Sequence, residues 1–85
     1  MEVSYSSIAR GQLAELEKND RARIFKKIRF FASQPDPLVF AKHLAGYAVY
    51  RFRVGDYRIV FDVVDTTLIH VMVIGKRDGI YKGLS

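Results

Sequence analysis

Polar and apolar residues alternate along the second half of the chain in three runs that predict β-strands. The runs lie at about 47–54, 57–64 and 67–74, and each is rich in β-branched and aromatic residues. Gly55-Asp56 separates the first two runs and predicts a tight two-residue hairpin turn. Asp65-Thr66 separates the last two and is a weaker turn signal. The sequence therefore indicates an antiparallel meander of three strands.

The Gly55-Asp56 turn fixes the pairing of the first two strands and gives them two different faces. It places Arg53 directly opposite Arg58, with Arg51 on the same face. The side chains able to enter a core fall on the other face: Tyr50, Phe52, Val54, Tyr57, Ile59 and Phe61. Like charges directly across a ladder are destabilising, so this face is predicted to hold an anion. A salt bridge of Arg51 with the diagonal Asp62 is the alternative for that residue.

The second turn extends the same pattern to the last strand. A two-residue turn predicts two cross-strand pairs, Val60 with Val71 and Arg58 with Val73. Odd-numbered residues of the last strand then share the arginine face, and this parity carries Arg77 toward it. His70 points to the core in this register and is expected to be a satisfied strand histidine, whereas His43 is expected in a loop.

The first half of the chain predicts a short strand, 2–5, and two helices with a very short connection. Ser6 or Ser7 can cap the first helix, whose apolar side carries Ile8, Ala9, Leu13 and Leu16. Asn19-Asp20 breaks the pattern, and Asp20 is a candidate cap for the second helix. The second helix has an apolar stripe and ends before two prolines, with the stripe formed by Ile24, Phe25, Ile28, Phe31 and Ala32.

The element order β-α-α-β-β-β predicts an α+β fold. A small, mostly antiparallel four-stranded sheet is expected to carry a helical hairpin on its apolar face. Residues 36–46 are expected to be irregular or to form one helical turn. A length of 85 residues suits one domain, 1–85, with a modest core. The arginine face is the uncovered one, and function is expected there.

Composition favours a polyanionic partner. Fourteen Lys and Arg residues against nine Asp and Glu give a formal charge of +5 and a pI near 9.7. No cysteine is present, which excludes disulfides and thiolate zinc sites and suits a reducing cytoplasm. The start of the chain has no signal-peptide pattern, and its apolar runs fall far short of the roughly 20 residues of a membrane span. We expect a soluble, cytoplasmic protein.

Several kinds of chemistry are excluded by the residues present. Two histidines, no cysteine and no nucleophile elbow leave no basis for a serine or cysteine triad. The histidines are far apart in sequence and no carboxylate cluster has ligand spacing, so neither a metal site nor a cofactor is expected. Arginine, in contrast, is always protonated and presents a planar fork to phosphate oxygens. The arginine face is therefore predicted to clamp a phosphate, with a solvated polar sheet face as the alternative.

Two further groups of residues extend this prediction. Gly75 ends the last strand, Lys76 and Arg77 follow at the mouth of the arginine face, and Tyr81 comes four residues later. A phenol there could stack on a base, act as a base itself, or only cover the sheet edge. The second helix has a basic side that is either solvated or a contact surface for RNA phosphates, made of Arg21, Arg23, Lys26, Lys27 and Arg29.

Three segments together resemble the RelE branch of the RelE/ParE toxin superfamily. They are Lys42-His43-Leu44-Ala45-Gly46, the run from Tyr50 to Phe61, and Val73-Ile74-Gly75-Lys76-Arg77 with a tyrosine soon after. The resemblance covers nearly the whole chain. It implies the toxin of a type II toxin–antitoxin system, an endoribonuclease (mRNA interferase) that inhibits translation by cutting mRNA in the ribosomal A site. In that family the 2′-hydroxyl attacks the adjacent phosphate without a metal and leaves a 2′,3′-cyclic phosphate.

The resemblance also implies a role for each candidate residue. Tyr81 would be the base, and Arg77 would donate a proton to the leaving group or stabilise it. The scissile phosphate would be held by Arg51, Arg53 and Arg58. The strand pair is often lysine in RelE proteins, and arginine cannot easily act as a base, so the base role shifts to Tyr81. RNA contacts outside the reacting phosphate are predicted at Lys76, Arg23, Lys26 and Lys27.

The resemblance implies partners and leaves alternatives open. A RelB-like antitoxin, in a hetero-oligomer with this chain, and the ribosome with its mRNA are the expected partners. ParE-like chains share the fold and often the Gly-x-Tyr-Arg hairpin, but they inhibit DNA gyrase by binding. Retention of Arg53, Arg58, Arg77 and Tyr81 favours RNA cleavage over that activity. A catalytically silent RNA-binding protein is the third alternative.

Overall fold

The structure is a computed structural model that describes residues 1–44, 46 and 49–76 of the chain. Its described elements are five strands, two α-helices and one 3-10 helix. In chain order they are β1 (Glu2–Tyr5), α1 (Ser7–Glu15), α2 (Lys18–Ala32), the 3-10 helix Pro37–Phe40, β2 (Lys42–His43), β3 (Tyr50–Val54), β4 (Tyr57–Val64) and β5 (Leu68–Gly75).

The strands form a single mixed sheet in the order β1-β5-β4-β3-β2. Strand β1 is parallel to β5, and the other pairs are antiparallel. The α+β prediction is confirmed, with two helices and one sheet. The predicted sheet lacked β2, a two-residue edge strand that pairs with the start of β3 and places His43 in a strand rather than a loop. A strand of two residues is too short to show an alternating pattern, so it could not be predicted from the sequence.

The β3–β4 hairpin has the predicted register. Arg53 pairs with Arg58 and Val54 with Tyr57. Gly55 has φ +58°, and Asp56 is not among the residues with positive φ, which is the pattern of a type II′ turn. A Cβ atom at Gly55 would also lie 3.3 Å from Nη2 of Arg23, so the glycine lets α2 approach the turn closely.

The predicted register between β4 and β5 is wrong. Val60 pairs with Val73 and Arg58 with Gly75, whereas Phe61 pairs with Val71. Met72 is therefore an extra residue, a β-bulge that shifts the pairing by one. The turn differs as well, because Asp65 and Thr66 both have positive φ, and Val64 pairs with Leu68 rather than with Thr67.

The bulge changes which side chains of β5 share a face. Beyond it Val73 and Gly75 lie with Arg58 on the arginine face, so the predicted parity holds there. Before it the parity is reversed, and His70 lies opposite Asp62 on the arginine face rather than in the core. The prediction of a satisfied strand histidine still holds, because Ser4 Oγ lies 2.8 Å from His70 Nδ1.

The helical hairpin packs on the other face of the sheet and buries the main core. Phe52 is central to it: its ring stacks on Phe61 at 4.1 Å and on Phe31 of α2 at 4.3 Å between centroids. The fully buried aliphatic side chains around these rings are Ile24, Ile28, Ile59, Ile69 and Val71. The predicted stripe of α2 is thus the stripe that faces the sheet.

The helix ends depart from the predictions in detail. Ser6 caps α1, because its Oγ accepts a hydrogen bond from the amide of Ala9 at 3.0 Å. Ile8 is 60% exposed and does not join the apolar side. Asp20 is not a cap, because α2 already begins at Lys18 after Glu17, and Asp20 lies in its first turn. In the part of the chain that the structure describes, no helix is long and apolar enough to span a membrane.

Candidate RNA-binding face

The cations on the face away from the helices form two rows across the sheet. Arg53 of β3 is directly opposite Arg58 of β4. One step along β3, Arg51 is directly opposite Lys42 of the edge strand. Residues two apart on a strand lie about 7 Å apart on one face, and direct cross-strand partners have Cβ atoms about 5 Å apart. Four cationic side chains thus occupy a patch of the sheet, which we call the cationic patch: Lys42, Arg51, Arg53 and Arg58.

This arrangement is electrostatically unfavourable without an anion. Both cross-strand pairs place like charges side by side. Within the residues the structure describes, the side chains of Lys42 and Arg53 make no hydrogen bond or ion pair, and both are exposed. The energy lost to repulsion would be recovered by an anionic ligand that bridges the pairs. A phosphodiester suits the guanidinium forks in both charge and shape.

Arg58 is held in place by the end of β5. Its Nη1 donates a 2.7 Å hydrogen bond to the main-chain carbonyl of Lys76. On the other side of the sheet, the Lys76 ammonium lies 5.3 Å from the ring centroid of Tyr57, within the range of a cation–π contact. Two neighbouring residues of β4 therefore hold Lys76 from opposite faces. Residue 77, the predicted proton donor, follows it directly.

Tyr57 is in turn fixed from the helical layer. Its hydroxyl donates to Oδ2 of Asp20 at 3.2 Å, and Oδ1 of the same carboxylate lies 3.3 Å from Nη2 of Arg23. Asp20 therefore joins the start of α2, the Arg23 guanidinium and the buried Tyr57 ring. Sequence reasoning treated Asp20 as a helix cap, because only the fold brings it next to the hairpin.

The basic residues of α2 lie in the other layer of the molecule. Arg23, Lys26 and Lys27 line a cavity of about 270 Å³ together with Phe30. The Lys27 ammonium lies 5.8 Å from the Phe30 ring, and this ring contacts that of Phe40 at 5.8 Å. The structure thus brings the three predicted RNA contacts of α2 together. They are on the helical layer, apart from the cationic patch, and Arg23 approaches the hairpin turn at Gly55.

The middle of the arginine face is not uncovered, which corrects the sequence prediction. Val60 and Val73 are buried there under a second apolar cluster with Leu44 and Val49. The amide of Leu44 donates to the carbonyl of Val49 at 3.1 Å and brings these two side chains together. Within the cationic patch, Arg53 and Arg58 therefore lie between this cluster and the hairpin turn, whereas Lys42 and Arg51 lie beside the cluster in the same cross-strand row.

Beyond the apolar cluster the face changes character. Asp62, His70 and Ser4 are neighbours across β4, β5 and β1. Asp62 Oδ1 accepts a hydrogen bond from the Val63 amide at 2.8 Å. Among the described residues there is no group of three or more potential ligands that could hold a metal ion.

The predicted site is thus assembled in part. Arg51, Arg53 and Arg58 lie together, and Lys76 is attached to Arg58. Arg77 and Tyr81 lie outside the described residues. Sequence reasoning gave no role to Lys42, because it did not detect β2; the one available signal was the basic residue two positions after the Pro37–Phe40 turn. The described cations can bind and neutralise a phosphate, but an arginine cannot readily accept a proton.

A family model decides what kind of protein carries this face. The model described as the ParE toxin of type II toxin–antitoxin systems, parDE, matches residues 3–81. The chain belongs to the ParE toxin family. It is therefore a toxin of a type II toxin–antitoxin system, within the RelE/ParE superfamily that the sequence motifs resemble. No sequence among the curated proteins gives a significant match to this ParE-family toxin.

Solved structures of RelE toxins share the fold of this ParE-family toxin. The toxin in the intact Escherichia coli RelBE complex has a TM-score of 0.73 at 21% identity, over 91% of this chain and 96% of that one. The RelBE2 toxin–antitoxin complex of Mycobacterium tuberculosis gives a TM-score of 0.75 at 23% identity, over 89% of this chain and 90% of that one. The archaeal RelE–RelB complex of Pyrococcus horikoshii gives a TM-score of 0.71 at 24% identity, over 91% of this chain and 94% of that one.

Proposed function

We propose that this ParE-family toxin is a ribosome-dependent endoribonuclease that cuts mRNA in the A site and so inhibits translation. The observation that carries the proposal is the pairing of Arg53 with Arg58, with Arg51 adjacent on the same face. The three arginines are neighbours on one face of the sheet, and a phosphate bound among them would be stabilised as its negative charge grows toward the transition state. The fold shared with RelE toxins supports the same activity.

The reaction would be an intramolecular transesterification. The 2′-hydroxyl loses its proton to a base, its oxygen bonds to phosphorus, and the bond from phosphorus to the 5′-oxygen breaks as that oxygen gains a proton. Arg51, Arg53 and Arg58 would hold the phosphate, Tyr81 would accept the first proton, and Arg77 would supply or stabilise the second. These roles follow from the high pKa of arginine. The three guanidinium groups are always charged, so they can neutralise the phosphate but cannot take up a proton.

The basic residues outside the cationic patch would contact RNA phosphates away from the cut. Arg23, Lys26 and Lys27 lie together on α2, and Lys76 lies at the end of β5. Such contacts orient a protein on structured RNA without reading its sequence. A toxin that acts only on ribosome-bound mRNA needs a surface of this kind besides its active site.

The partner expected in the resting state is an antitoxin. The similar toxins from E. coli, M. tuberculosis and P. horikoshii were solved in complexes with RelB-type antitoxins. By analogy, a RelB-like antitoxin would bind this chain in a hetero-oligomer in the cytoplasm. An acidic or amphipathic segment suits its charge of +5. Co-purification with the product of the adjacent gene tests this, and failure to bind would contradict it.

A second candidate is inhibition of DNA gyrase by binding, and the ParE family model favours it. The two functions are separated by one pair of assays with the same preparation. Programmed ribosomes with end-labelled mRNA report cleavage, and supercoiling of relaxed plasmid reports gyrase. We expect cuts within the A-site codon and unchanged supercoiling. Intact mRNA together with loss of gyrase-dependent supercoiling would overturn the proposed cleavage and establish the alternative.

A further inference from the structure

A groove runs beside the cationic patch at the edge of the sheet. It has a volume of about 230 Å³, and it is lined by Val39, Phe40, Ala41, Lys42, Arg51 and Arg53. Its two walls are the 3-10 helix with the edge strand on one side and β3 on the other. The groove is therefore continuous with the proposed phosphate site but extends away from Arg58.

The charges of the groove suit a second phosphate. Among the described residues that line it, all three charged ones are cations. Lys42 and Arg51 form one like-charge pair and Arg53 with Arg58 another, about 7 Å further along the sheet. A phosphate bound at the second pair lies about 7 Å from the first pair, so it leaves room there for a second anionic group. A ligand with two linked anionic groups would neutralise both.

The apolar wall of the groove suits a base. Phe40 is 43% exposed and Val39 is 73% exposed, although both are large hydrophobic residues. The Phe40 ring is held by the ring of Phe31, with centroids 5.5 Å apart and planes 27° apart. An aromatic ring fixed beside cations is the arrangement on which proteins stack single-stranded bases. The exposed apolar surface and the cations belong to one groove.

We propose that this groove binds the nucleotide next to the one being cut, with Lys42 and Arg51 on its phosphate and Phe40 against its base. The inference rests on the proposed RNA cleavage and adds to it a subsite and two residues, Lys42 and Phe40. RNA is favoured over an acidic protein segment because the groove pairs two successive cation rows with an aromatic ring. An acidic peptide would need the cations but not the ring.

The test uses variants of the groove in the full chain. Lys42→Ala removes the charge, Lys42→Arg keeps it, and Phe40→Leu keeps apolar bulk but removes the ring. Lys18→Ala is the matched control, because Lys18 is an exposed lysine at the start of α2 with no assigned role. Circular dichroism and urea melts first establish that each variant is folded.

Binding of a short single-stranded RNA is measured over a range of salt concentrations. Loss of one phosphate contact should weaken binding several-fold and reduce the slope of log K against log salt by about 0.7. We expect this for Lys42→Ala, restoration by Lys42→Arg and no change for Lys18→Ala. For Phe40→Leu we expect weaker binding at an unchanged slope. Wild-type affinity and slope in Lys42→Ala would overturn the subsite.

Cleavage of ribosome-bound mRNA separates this inference from the proposed function. Wild-type protein that cuts, with Lys42→Ala cutting equally well and with the same base preference beside the cut, refutes the subsite alone. Wild-type protein that does not cut refutes the proposed function. If Lys42→Ala binds RNA like wild type but binds the cognate antitoxin more weakly, the groove is a protein contact and the inference is wrong.

Discussion

The guanidinium group of Arg58 donates a 2.7 Å hydrogen bond to the main-chain carbonyl of Lys76. This bond joins Arg58, which is predicted to bind the phosphate, to the residue that directly precedes Arg77. The same arginine would thus have two tasks, binding the phosphate and fixing the end of β5. Tyr57, the residue before it in β4, holds the Lys76 side chain from the other face.

Replacing Arg58 by lysine should separate charge from geometry. Lysine keeps the positive charge but has no planar fork, so it cannot hold the Lys76 carbonyl and a phosphate in the same way. We expect the rate of mRNA cleavage on ribosomes to fall by about 100-fold or more. The measurement is single-turnover cleavage, with Arg10→Lys on the exposed side of α1 as the matched control. Full activity in Arg58→Lys would show that charge alone is needed.

Replacing Arg53 by glutamine should stabilise the folded protein while impairing its proposed phosphate binding. The substitution removes like-charge repulsion with Arg58 directly across the ladder. We expect the free energy of unfolding to rise by roughly 0.2–1 kcal/mol at low salt, with a smaller gain at high salt. Urea denaturation of Arg53→Gln and Arg10→Gln measures it. A loss of stability in Arg53→Gln would mean that the two arginines do not repel each other in the folded protein.

The hairpin and the core could be predicted from the sequence, because local pattern determines both. The Gly55-Asp56 turn sets the Arg53–Arg58 pair, and three- to four-residue spacing sets the stripe of α2. The β4–β5 register could not be predicted in the same way. Both faces of β5 are largely apolar around Met72, so an added residue leaves no break in the pattern.

In the candidate site, too, only the features set by local pattern could be predicted. Arg51, Arg53 and Arg58 were predictable from one turn, whereas Lys42 joins them only through a two-residue edge strand. Asp20 and Tyr57 are 37 residues apart, and only packing of α2 against the hairpin brings them together. Relationships between distant segments depend on the whole fold, and a single local pattern does not contain them.

The turn between β4 and β5 carries a testable backbone strain. Thr66 has φ +60°, a conformation that is unfavourable for a β-branched residue and costs about 1–2 kcal/mol. Thr66→Gly should therefore raise the free energy of unfolding, by roughly 0.5–1 kcal/mol after the entropy cost of glycine. Thr67→Gly is the control, because Thr67 is not among the residues with positive φ, and it should destabilise. Equal effects of the two substitutions in urea melts would contradict the assigned strain.

Tyr5 should make stability depend on alkaline pH. Burial raises the pKa of Tyr5 above its usual value of 10.0, and the nearby Arg29 cation acts in the opposite direction. The unfolded chain then loses this proton at lower pH than the folded chain. The contribution of Tyr5 is therefore complete below pH 10 and is lost as pH rises through the folded pKa.

Comparison with Tyr5→Phe isolates this effect from other alkaline titrations. The difference in free energy of unfolding, wild type minus Tyr5→Phe, should be constant below pH 10 and decrease above it. Parallel curves across the whole range would show that the Tyr5 hydroxyl titrates alike in both states.

The central claim is that the arginine face cuts RNA through a neighbouring 2′-hydroxyl, and one measurement tests it most directly. Ribosomes are programmed with two mRNAs that differ only by a single 2′-deoxy nucleotide at the mapped cut in the A-site codon. Each programmed ribosome is then incubated with wild-type protein and, separately, with folded Arg77→Ala. We predict a cut with a 2′,3′-cyclic phosphate end in the all-ribose mRNA, none at the deoxy position, and a rate lower by orders of magnitude for Arg77→Ala. Equal cutting of both mRNAs, or no cutting of either by wild-type protein, would contradict the claim.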